Sequence, residues 1–440
     1  MRSLAFITSL VAWLGIQYAA ADIAALPLPS SCSGVSAMRY QYKTANGWTA
    51  VKIAGNLKQV RTIVFDPLGN MLVAEGTKGI SVHTWGSNGC INSSTTLIAL
   101  NSLNHGLALT PDGNTLYASG EKTVYSWTYN PSTRAVSNQK TVVQGMDTGV
   151  HSSRAVVPVP SKPNMVLVQV GSNQNLDMAS ADKATGRAII KIFDMSQAPA
   201  SGYNYKTQGE VVAYGLRNEI GFTFDPNGVL WGVENSGDDF TRTANGARTD
   251  VHINNPSEKL NNLGNPLTAR NQWYGYPTCF TVWDPTAFKD NTALKVGDHF
   301  VLSPNNTFND ATCNTQAVAP RLSFMPHSAP IWNAFDANAT NMYVTFHGSW
   351  DRQPPTGFKV VQVPFTKLAN GQYDPVAPAT STTGYSDVFS ATTPESCTAN
   401  GLTQSNCFRL TAATWDPAGR GLFVGSDNSA EGEIYLLSKK

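Results

Sequence analysis

Short apolar segments separated by turn residues recur along most of the chain. Each unit is an alternating apolar segment, a turn containing Asp, Pro, Gly or Asn, and a second apolar segment. Alternation on both sides of such a turn is typical of a β-hairpin. The clearest copies of the unit span 63–75, 107–119, 222–234 and 413–425, and weaker copies span 156–170 and 334–346.

Six hairpins without helical periodicity between them predict an all-β fold, a six-bladed β-propeller with long capping loops. An irregular β-sandwich that reuses one turn is the alternative. The 440 residues give blades of about 70 residues, against ~40–45 for a compact propeller blade. The excess is expected in loops. The largest insertion, roughly 235–312, is expected to cap one mouth of the channel and to carry function.

The N-terminus indicates the compartment. Arg2 precedes an apolar run at 4–16, and small residues at 19–21 resemble a signal-peptidase site. A membrane anchor is the alternative, but the run is short for spanning a bilayer. We therefore expect a signal peptide at 1–21 and a single propeller domain at 22–440, secreted to the extracellular space, with no membrane partner.

The six cysteines fit an oxidising compartment. They allow 15 connectivities, and spacing only suggests Cys397–Cys407 and Cys279–Cys313, which leaves Cys32–Cys90. Asn92, Asn305 and Asn338 begin N-x-S/T sequons, which predict glycosylated surface loops. The net charge of +1 gives no indication of a nucleic-acid partner. Scattered sequons favour a monomer.

Histidines and arginines carry most of the candidate chemistry. Four histidines stand beside predicted strands, where a blade meets the channel: His105, His151, His327 and His347. A histidine in such a place is either a hydrogen-bonding group or a catalyst. Arginines recur near them at 61, 154, 217 and 352 and suggest an anionic ligand. For Arg154 and Arg352 we slightly favour salt bridges to Asp or Glu instead.

The segment 232–242 offers oxygen ligands for a hard cation such as calcium, although an Asx-rich turn explains it equally well. Trp273, Tyr274 and Tyr276 follow within the insertion. Aromatic rings at the rim of a pocket stack on sugars, but they could equally form the core of the loop. We expect His105, Trp273 and Tyr276 to contact the substrate.

Several segments together resemble a known family. These are GLRNEIGF, GVENSGDDF, NQWYGYP, MPHSAP and FHGSWDRQPPTGFKVVQVPF, in this order. They resemble the motifs of the soluble quinoprotein glucose and sorbosone dehydrogenase superfamily. Within it, the match is to the fungal pyrroloquinoline-quinone-dependent pyranose dehydrogenases, auxiliary activity family twelve. The resemblance implies an enzyme that oxidises pyranose sugars by hydride transfer to pyrroloquinoline quinone, with calcium as a second cofactor.

The resemblance also implies roles for individual residues. His151 would be the general base, and Arg217 would also stabilise charge on the reduced quinone. Main-chain oxygens of Ser236 and Gly237 would bind calcium, with Asp238 nearby. The residues expected to line the cofactor are Arg61, His151, Arg217, Asn218, His347 and Trp350.

One departure from the family concerns the calcium loop. The bacterial enzymes have His-Gly-Pro where this chain has 235–237, so the ligand set stays open. We expect neither a haem domain nor a cellulose-binding module, so that electrons leave to an external acceptor, either a small molecule or a separate redox protein. The preferred sugar is not predicted.

Two other functions compete with the dehydrogenase. A calcium-dependent lactonase on a six-bladed propeller would gain support if Arg61 and Arg217 were surface-exposed. A non-catalytic carbohydrate-binding propeller would expose aromatic rings without needing histidines and arginines in the channel.

Overall fold

The computed structural model describes residues 23–268, 270–290, 292–400 and 403–440. The predicted signal peptide at 1–21 lies outside the described residues. Six antiparallel sheets of four principal strands succeed one another along the chain and form the blades of a propeller. At five of the six junctions between blades, the first strands of neighbouring hairpins contact one another around the channel. The predicted fold class is therefore confirmed.

Strand bounds follow chain order, with the accessory strands of a blade given last. Blade 1 contains Val60–Phe65, Met71–Glu75, Gly79–Trp85 and Ile91–Ile98. Blade 2 contains Leu103–Leu109, Thr115–Gly120, Thr123–Asn130, Ala135–Gln144 and the accessory Tyr203–Asn204. Blade 3 contains Val156–Val159, Lys162–Val170, Ile189–Asp194, Glu210–Tyr214 and the accessory Gln272–Trp273.

The second half of the ring is built in the same way. Blade 4 contains Glu219–Phe224, Leu230–Glu234, Glu258–Gly264 and Leu322–Phe324. Blade 5 contains Pro330–Phe335, Asn341–Phe346, Lys359–Lys367, Ser386–Ala391 and the accessory Tyr42–Thr44 and Tyr373–Pro375. Blade 6 contains Leu410–Trp415, Leu422–Ser426, Gly432–Lys439 and, from the N-terminal part of the chain, Trp48–Leu57.

Blade 6 closes the ring. Trp48–Leu57 pairs antiparallel with Gly432–Lys439, so that one sheet contains strands from both ends of the propeller. Lys52 is buried within this sheet, and its Nζ lies 2.6 Å from a carboxylate oxygen of Glu431 and 2.7 Å from one of Glu433. Main-chain pairing and a buried ion network therefore hold the first and last blade strands together.

Every predicted hairpin forms, and each supplies the first two strands of one blade. The repeated Asp explains why the turn recurs. In blade 1, Asp66 Oδ1 accepts hydrogen bonds from the main-chain N–H groups of Leu68 and Asn70, both at 2.9 Å. Asp225 does the same in blade 4 for Asn227 and Val229. The Asp side chain thus replaces backbone partners that the turn lacks.

In the part of the chain that the structure describes, three short hairpins and one short α-helix lie outside the blades. The hairpins are Thr241–Ala244 with Ala247–Asp250, Phe280–Thr281 with His299–Phe300, and Ala399–Asn400 with Gln404–Ser405. The helix is Asp310–Gln316. The 3-10 turns are Met178–Ala181, Lys183–Thr185, Met195–Gln197, His252–Asn254, Pro266–Thr268, Pro285–Ala287 and Pro394–Ser396.

The expectation of one continuous insertion at 235–312 was wrong. The strand Glu258–Gly264 lies inside that range and is the third strand of blade 4. The sequence pattern did not reveal this strand because EKLNNLG alternates poorly. Two loops therefore leave blade 4, one on each side of the strand, and the disulfide Cys279–Cys313 ties the second.

The disulfide pairing that spacing suggested is confirmed, with bonds Cys32–Cys90, Cys279–Cys313 and Cys397–Cys407. The three sequon asparagines are all exposed. Asn92 was predicted to lie in a loop, but it lies in the outermost strand of blade 1. Within the described ranges, no helix is long and apolar enough to cross a membrane.

Candidate functional site

A polar cavity of about 380 Å³ lies where all six blades meet the channel. Much of its wall comes from two recurring positions, the residues before the first strand of a hairpin and those after the second. Arg217 and Asn218 precede a first strand, and His347 and Gly348 follow a second one. The same repeat that builds the blades therefore delivers polar side chains to one place.

Six predicted cofactor-lining residues all reach this cavity: Arg61, His151, Arg217, Asn218, His347 and Trp350. Ser236 and Asp238 of the predicted calcium loop line it as well. Trp350 is 53% exposed, which places it at the rim and not among the buried side chains. The structure thus brings together residues that are far apart in the sequence.

His151 is held in one tautomer. Its Nδ1 lies 2.9 Å from both the carbonyl oxygen and the hydroxyl oxygen of Ser172. That hydroxyl donates its own proton to the carbonyl of Gln174 at 2.8 Å. Both Ser172 oxygens therefore act as acceptors, so Nδ1 carries the proton and Nε2 carries the lone pair. Burial, helped by the charge of Arg217, lowers the pKa of His151 to about 3.

Arg217 is buried and lies beside the carboxylate of Asp238. Its Nη2 donates to Asp238 Oδ2 at 2.6 Å and to Asn175 Oδ1 at 2.9 Å. Burial opposes ionisation of Asp238, but Arg217 and His327 outweigh it and lower the pKa of this carboxyl to about 2. Asp238 is therefore ionised at neutral pH.

His327 forms a cluster with two carboxylates. Its Nδ1 lies 2.9 Å from Asp351 Oδ2 and 3.8 Å from Asp238 Oδ1, and its Nε2 donates to the carbonyl of His252. Burial disfavours its charge, yet the two Asp carboxylates beside it raise the pKa of His327 to about 10. Ligand atoms of this triad lie within 4.8 Å of one another, which makes it a candidate metal site.

Glu258 is a fully buried carboxyl that sequence reasoning missed. Its two oxygens accept hydrogen bonds from the main-chain N–H groups of Ser236, at 2.6 Å, and Ala329, at 3.2 Å. Burial raises its pKa to about 7. Glu258 therefore joins the predicted calcium loop to the start of blade 5.

A second cluster of charged and polar residues is centred on Asp427. Sequence reasoning also missed this residue. This buried carboxylate accepts hydrogen bonds from Arg61 Nη1 and, at 2.7 Å, from His347 Nε2. Arg409, another missed residue, lines the cavity nearby and donates to the carbonyl of Gly348 at 2.8 Å. Position in the repeat could have revealed both, because Arg409 precedes a first strand and Asp427 follows a second one.

Three predicted substrate contacts do not reach the cavity wall. His105 is fully buried inside a blade 2 strand, with Nδ1 at 3.2 Å from Arg61 Nη2. The Tyr276 hydroxyl is bonded to the main chain of 174–177, and Trp273 packs near the disulfide Cys279–Cys313. The two aromatic rings form the core of a loop, which was the alternative for them.

Gly237 also lies off the cavity wall. A Cβ atom at this position would meet the ring of Phe240 at 2.0 Å, so packing alone requires glycine there. Arg154 and Arg352 were expected to form salt bridges, but neither pairs with a carboxylate among the described residues. Arg154 donates to the carbonyls of residues 121, 147, 151 and 153, and Arg352 donates to those of 253 and 354. Main-chain oxygens accept from both guanidinium groups, and Arg352 Nη2 also donates to the side-chain oxygen Asn254 Oδ1 at 3.1 Å.

Comparison with known proteins identifies close relatives. The TrAA12-like family model matches residues 42–440. The pyrroloquinoline quinone-dependent pyranose dehydrogenase of Coprinopsis cinerea is 40% identical over 412 residues, which are 93% of this chain and 56% of that protein. A pyrroloquinoline quinone-dependent sugar dehydrogenase of Hypocrea jecorina is 38% identical over 409 residues, 90% of this chain and 89% of that protein.

A solved structure agrees in fold. The holo form of the quinone-binding domain of the Coprinopsis cinerea pyranose dehydrogenase superposes with a TM-score of 0.89 at 40% identity. The match covers 93% of this chain and 99% of that domain. The chain thus spans just over half the length of the curated Coprinopsis relative and nearly all of its quinone-binding domain.

Proposed function

This chain belongs to the TrAA12-like family, and from that premise we propose that it is a pyrroloquinoline-quinone-dependent dehydrogenase of pyranose sugars. The observation that carries the proposal is the neutral His151, which presents its Nε2 lone pair to a cavity shared with Arg217. A neutral imidazole can take a hydroxyl proton, and a neighbouring cation can stabilise the negative charge that develops in the reaction.

The cavity has the chemistry that this cofactor requires. Pyrroloquinoline quinone carries three carboxylates, and three arginines line the wall, at 61, 217 and 409. Two buried polar atoms of the wall, Arg61 Nε and Asn218 Oδ1, have no hydrogen-bond partner in the part of the chain that the structure describes. A polar ligand would satisfy them. When bound, the cofactor would supply an ortho-quinone that accepts a hydride.

His151 would take the proton from the sugar hydroxyl as the hydride leaves the same carbon. Because Nδ1 donates to Ser172, the lone pair at Nε2 needs no reorganisation before it accepts this proton. The low pKa of His151 keeps the ring neutral at neutral pH, so that its lone pair is not already occupied by a proton. Arg217 would stabilise negative charge that develops beside it.

Calcium is proposed as the second cofactor near Ser236 and Asp238. Carboxylate and main-chain oxygens are the ligands that this hard cation prefers, and Asp238 and Asp351 supply the former. His327, the third member of the cluster, offers nitrogen and holds a charge, so it fits calcium poorly and fits the role of a carboxylate partner better. Glu258 would keep the loop at Ser236 in place.

The competing lactonase gains no support. It would have been favoured by surface-exposed Arg61 and Arg217, but Arg217 is 4% exposed and the side chain of Arg61 is 13% exposed. A purely carbohydrate-binding propeller would not need this buried set of charges. We further propose secretion and glycosylation, which the three disulfides and the exposed sequons support. Electrons would pass to an external acceptor.

The test is reconstitution of protein stripped with a chelator. Pyrroloquinoline quinone and calcium are added singly and together, with a panel of aldoses and a dye as electron acceptor. We expect dye reduction only when both are present, because the cofactor would supply the oxidant and calcium would act as a Lewis acid on it. If the stripped protein binds no quinone and reduces no dye with any sugar, the proposal is wrong, and hydrolysis of lactones becomes the next assay.

A further inference from the structure

Asp427 does not line the cavity itself, but it accepts hydrogen bonds from two residues of the cavity wall, Arg61 and His347. It follows the second strand of blade 6, and its side chain is fully buried. Oδ2 accepts a hydrogen bond from Arg61 Nη1, and Oδ1 accepts one from His347 Nε2 at 2.7 Å. Burial opposes its charge, but His347 and Arg61 keep the pKa of this carboxyl below its usual value. Asp427 is therefore a carboxylate, which can only accept hydrogen bonds.

This contact determines which nitrogen of His347 carries a proton. Burial, together with the charge of Arg409, lowers the pKa of His347 to about 4, so the ring holds one proton at neutral pH. A carboxylate at 2.7 Å from Nε2 requires that proton on Nε2. Nδ1 then carries a lone pair, and among the described residues no group donates to it.

We propose that Asp427 is a positioning residue that fixes His347 as a hydrogen-bond acceptor, and that the ligand group which reaches His347 is an O–H or N–H donor. The expectation from sequence placed His347 simply against the anionic cofactor. An imidazole lone pair repels a carboxylate, so His347 instead faces a protonated part of the cofactor or a sugar hydroxyl. The inference rests on the proposed function only for the identity of this ligand.

The same arrangement occurs independently at His151. There the Ser172 oxygens hold the proton on Nδ1 and leave Nε2 as the acceptor. Two neutral histidines therefore offer lone pairs to one cavity, which the guanidinium groups of Arg61, Arg217 and Arg409 also line. The arginines suit the anionic groups of a ligand, and the histidines suit its hydroxyl or N–H groups.

The first measurement is the tautomer of His347 in the protein without cofactor. Selective 15N labelling of histidine and a long-range proton–nitrogen spectrum report which ring nitrogen is protonated, and His347→Gln assigns the signal. We expect Nε2–H in the wild-type chain. In Asp427→Asn the amide oxygen stays with Arg61 and the NH2 group faces His347, so the proton moves to Nδ1. A wild-type ring protonated on Nδ1 overturns the proposal, whether or not the variant folds.

The second measurement is the affinity for pyrroloquinoline quinone, followed by quenching of tryptophan fluorescence. Asp427→Asn removes a negative charge, which by charge alone strengthens binding of an anion. If His347 accepts a hydrogen bond from the ligand, the reversed tautomer instead places its N–H group opposite the donor of the ligand. The affinity for the quinone then falls at least ~tenfold. Unchanged or tighter binding shows that His347 faces an anionic group, and this result contradicts the proposal.

The matched control is Asp416→Asn. Asp416 is also a buried Asp of blade 6, paired with Arg420 at 2.6 Å, but it lies in the turn of the hairpin, away from the cavity. It should leave both the tautomer and the affinity unchanged. If the wild-type protein binds no quinone, the proposed function fails, while the tautomer measurement still decides this inference.

Discussion

At the scale of single residues, the chemistry depends on buried acceptors behind the cavity wall. Ser172 and Asp427 lie behind His151 and His347, and each fixes the proton of its histidine on the ring nitrogen that it contacts. A hydrogen-bond partner outside the cavity thus determines what the histidine offers inside it. The identity of a wall residue alone does not define its role.

Replacement of the base tests this arrangement directly. We expect His151→Gln to lower kcat by ~10²–10⁴-fold, because glutamine cannot take the hydroxyl proton. Affinity for pyrroloquinoline quinone should change little, since the cavity arginines remain in place. Single-turnover kinetics and a fluorescence titration on the same preparation separate these effects. Retention of wild-type kcat would mean that another group is the base.

At the scale of elements, the hairpin turn combines stability with repetition. Asp66 caps its turn through Leu68 and Asn70, and its second oxygen also accepts from the Tyr129 hydroxyl at 2.8 Å. Asp336 caps the equivalent turn of blade 5 through Thr340, closer to the surface. The same turn residue therefore makes more contacts in one blade than in another.

This difference predicts unequal effects of the same substitution. Asp66→Ala should lower the free energy of unfolding by about 2–4 kcal/mol, because it leaves a buried tyrosine hydroxyl and turn amides without partners. Asp336→Ala, the matched control, should cost about 1 kcal/mol, since water can replace its contacts. Denaturant unfolding of the two variants provides the comparison. Equal losses would show that burial of the Asp66 network adds nothing.

The elements were largely predictable from the sequence, whereas the site was only partly predictable. The six hairpins follow from local alternation and turn residues, which a sequence displays directly. Glu258–Gly264 was missed because its strand is built into blade 4 by its neighbours and not by its own pattern. Glu258, Asp427 and Arg409 were missed because their roles come from contacts between distant segments.

Aromatic residues illustrate the same limit. Trp273 and Tyr276 have aromatic side chains of the kind that stack on sugars at the rim of a pocket, but they pack into a loop core. Trp350 does reach the rim of the cavity. The sequence shows which side chains could stack on a ligand, and only the packing of the loops decides which of them face the cavity.

At the scale of the whole molecule, burial of neutral histidines makes stability depend on pH. Burial is the main cause that lowers the pKa of His83 and His347 to about 4 and that of three others to about 3: His105, His151 and His299. A histidine of lowered pKa binds its proton mainly in the unfolded chain, so its contribution to stability is lost as pH falls below about 6.5.

We therefore expect the thermal unfolding midpoint of the cofactor-free protein to fall between pH 6.5 and 4.5. The raised pKa values of Glu219, Glu258 and His327 oppose this trend, but the five histidines of lowered pKa outnumber these three groups. His83→Gln should make the decline shallower, since this ring lies between Ser81 and Ser94, away from the cavity. Calorimetry over the pH range measures both slopes. A midpoint that does not move would contradict the explanation.

Closure of the ring within blade 6 has a consequence for synthesis. Among the four principal strands of each blade, Trp48–Leu57 leaves the ribosome before any other, but its partner Gly432–Lys439 is made after all of them. Until then, the edge that will receive Trp48–Leu57 does not exist, and neither does the carboxylate pair that receives Lys52. An unpaired strand is a site for aggregation. The propeller must therefore keep its first strand soluble through nearly the whole of its own translation.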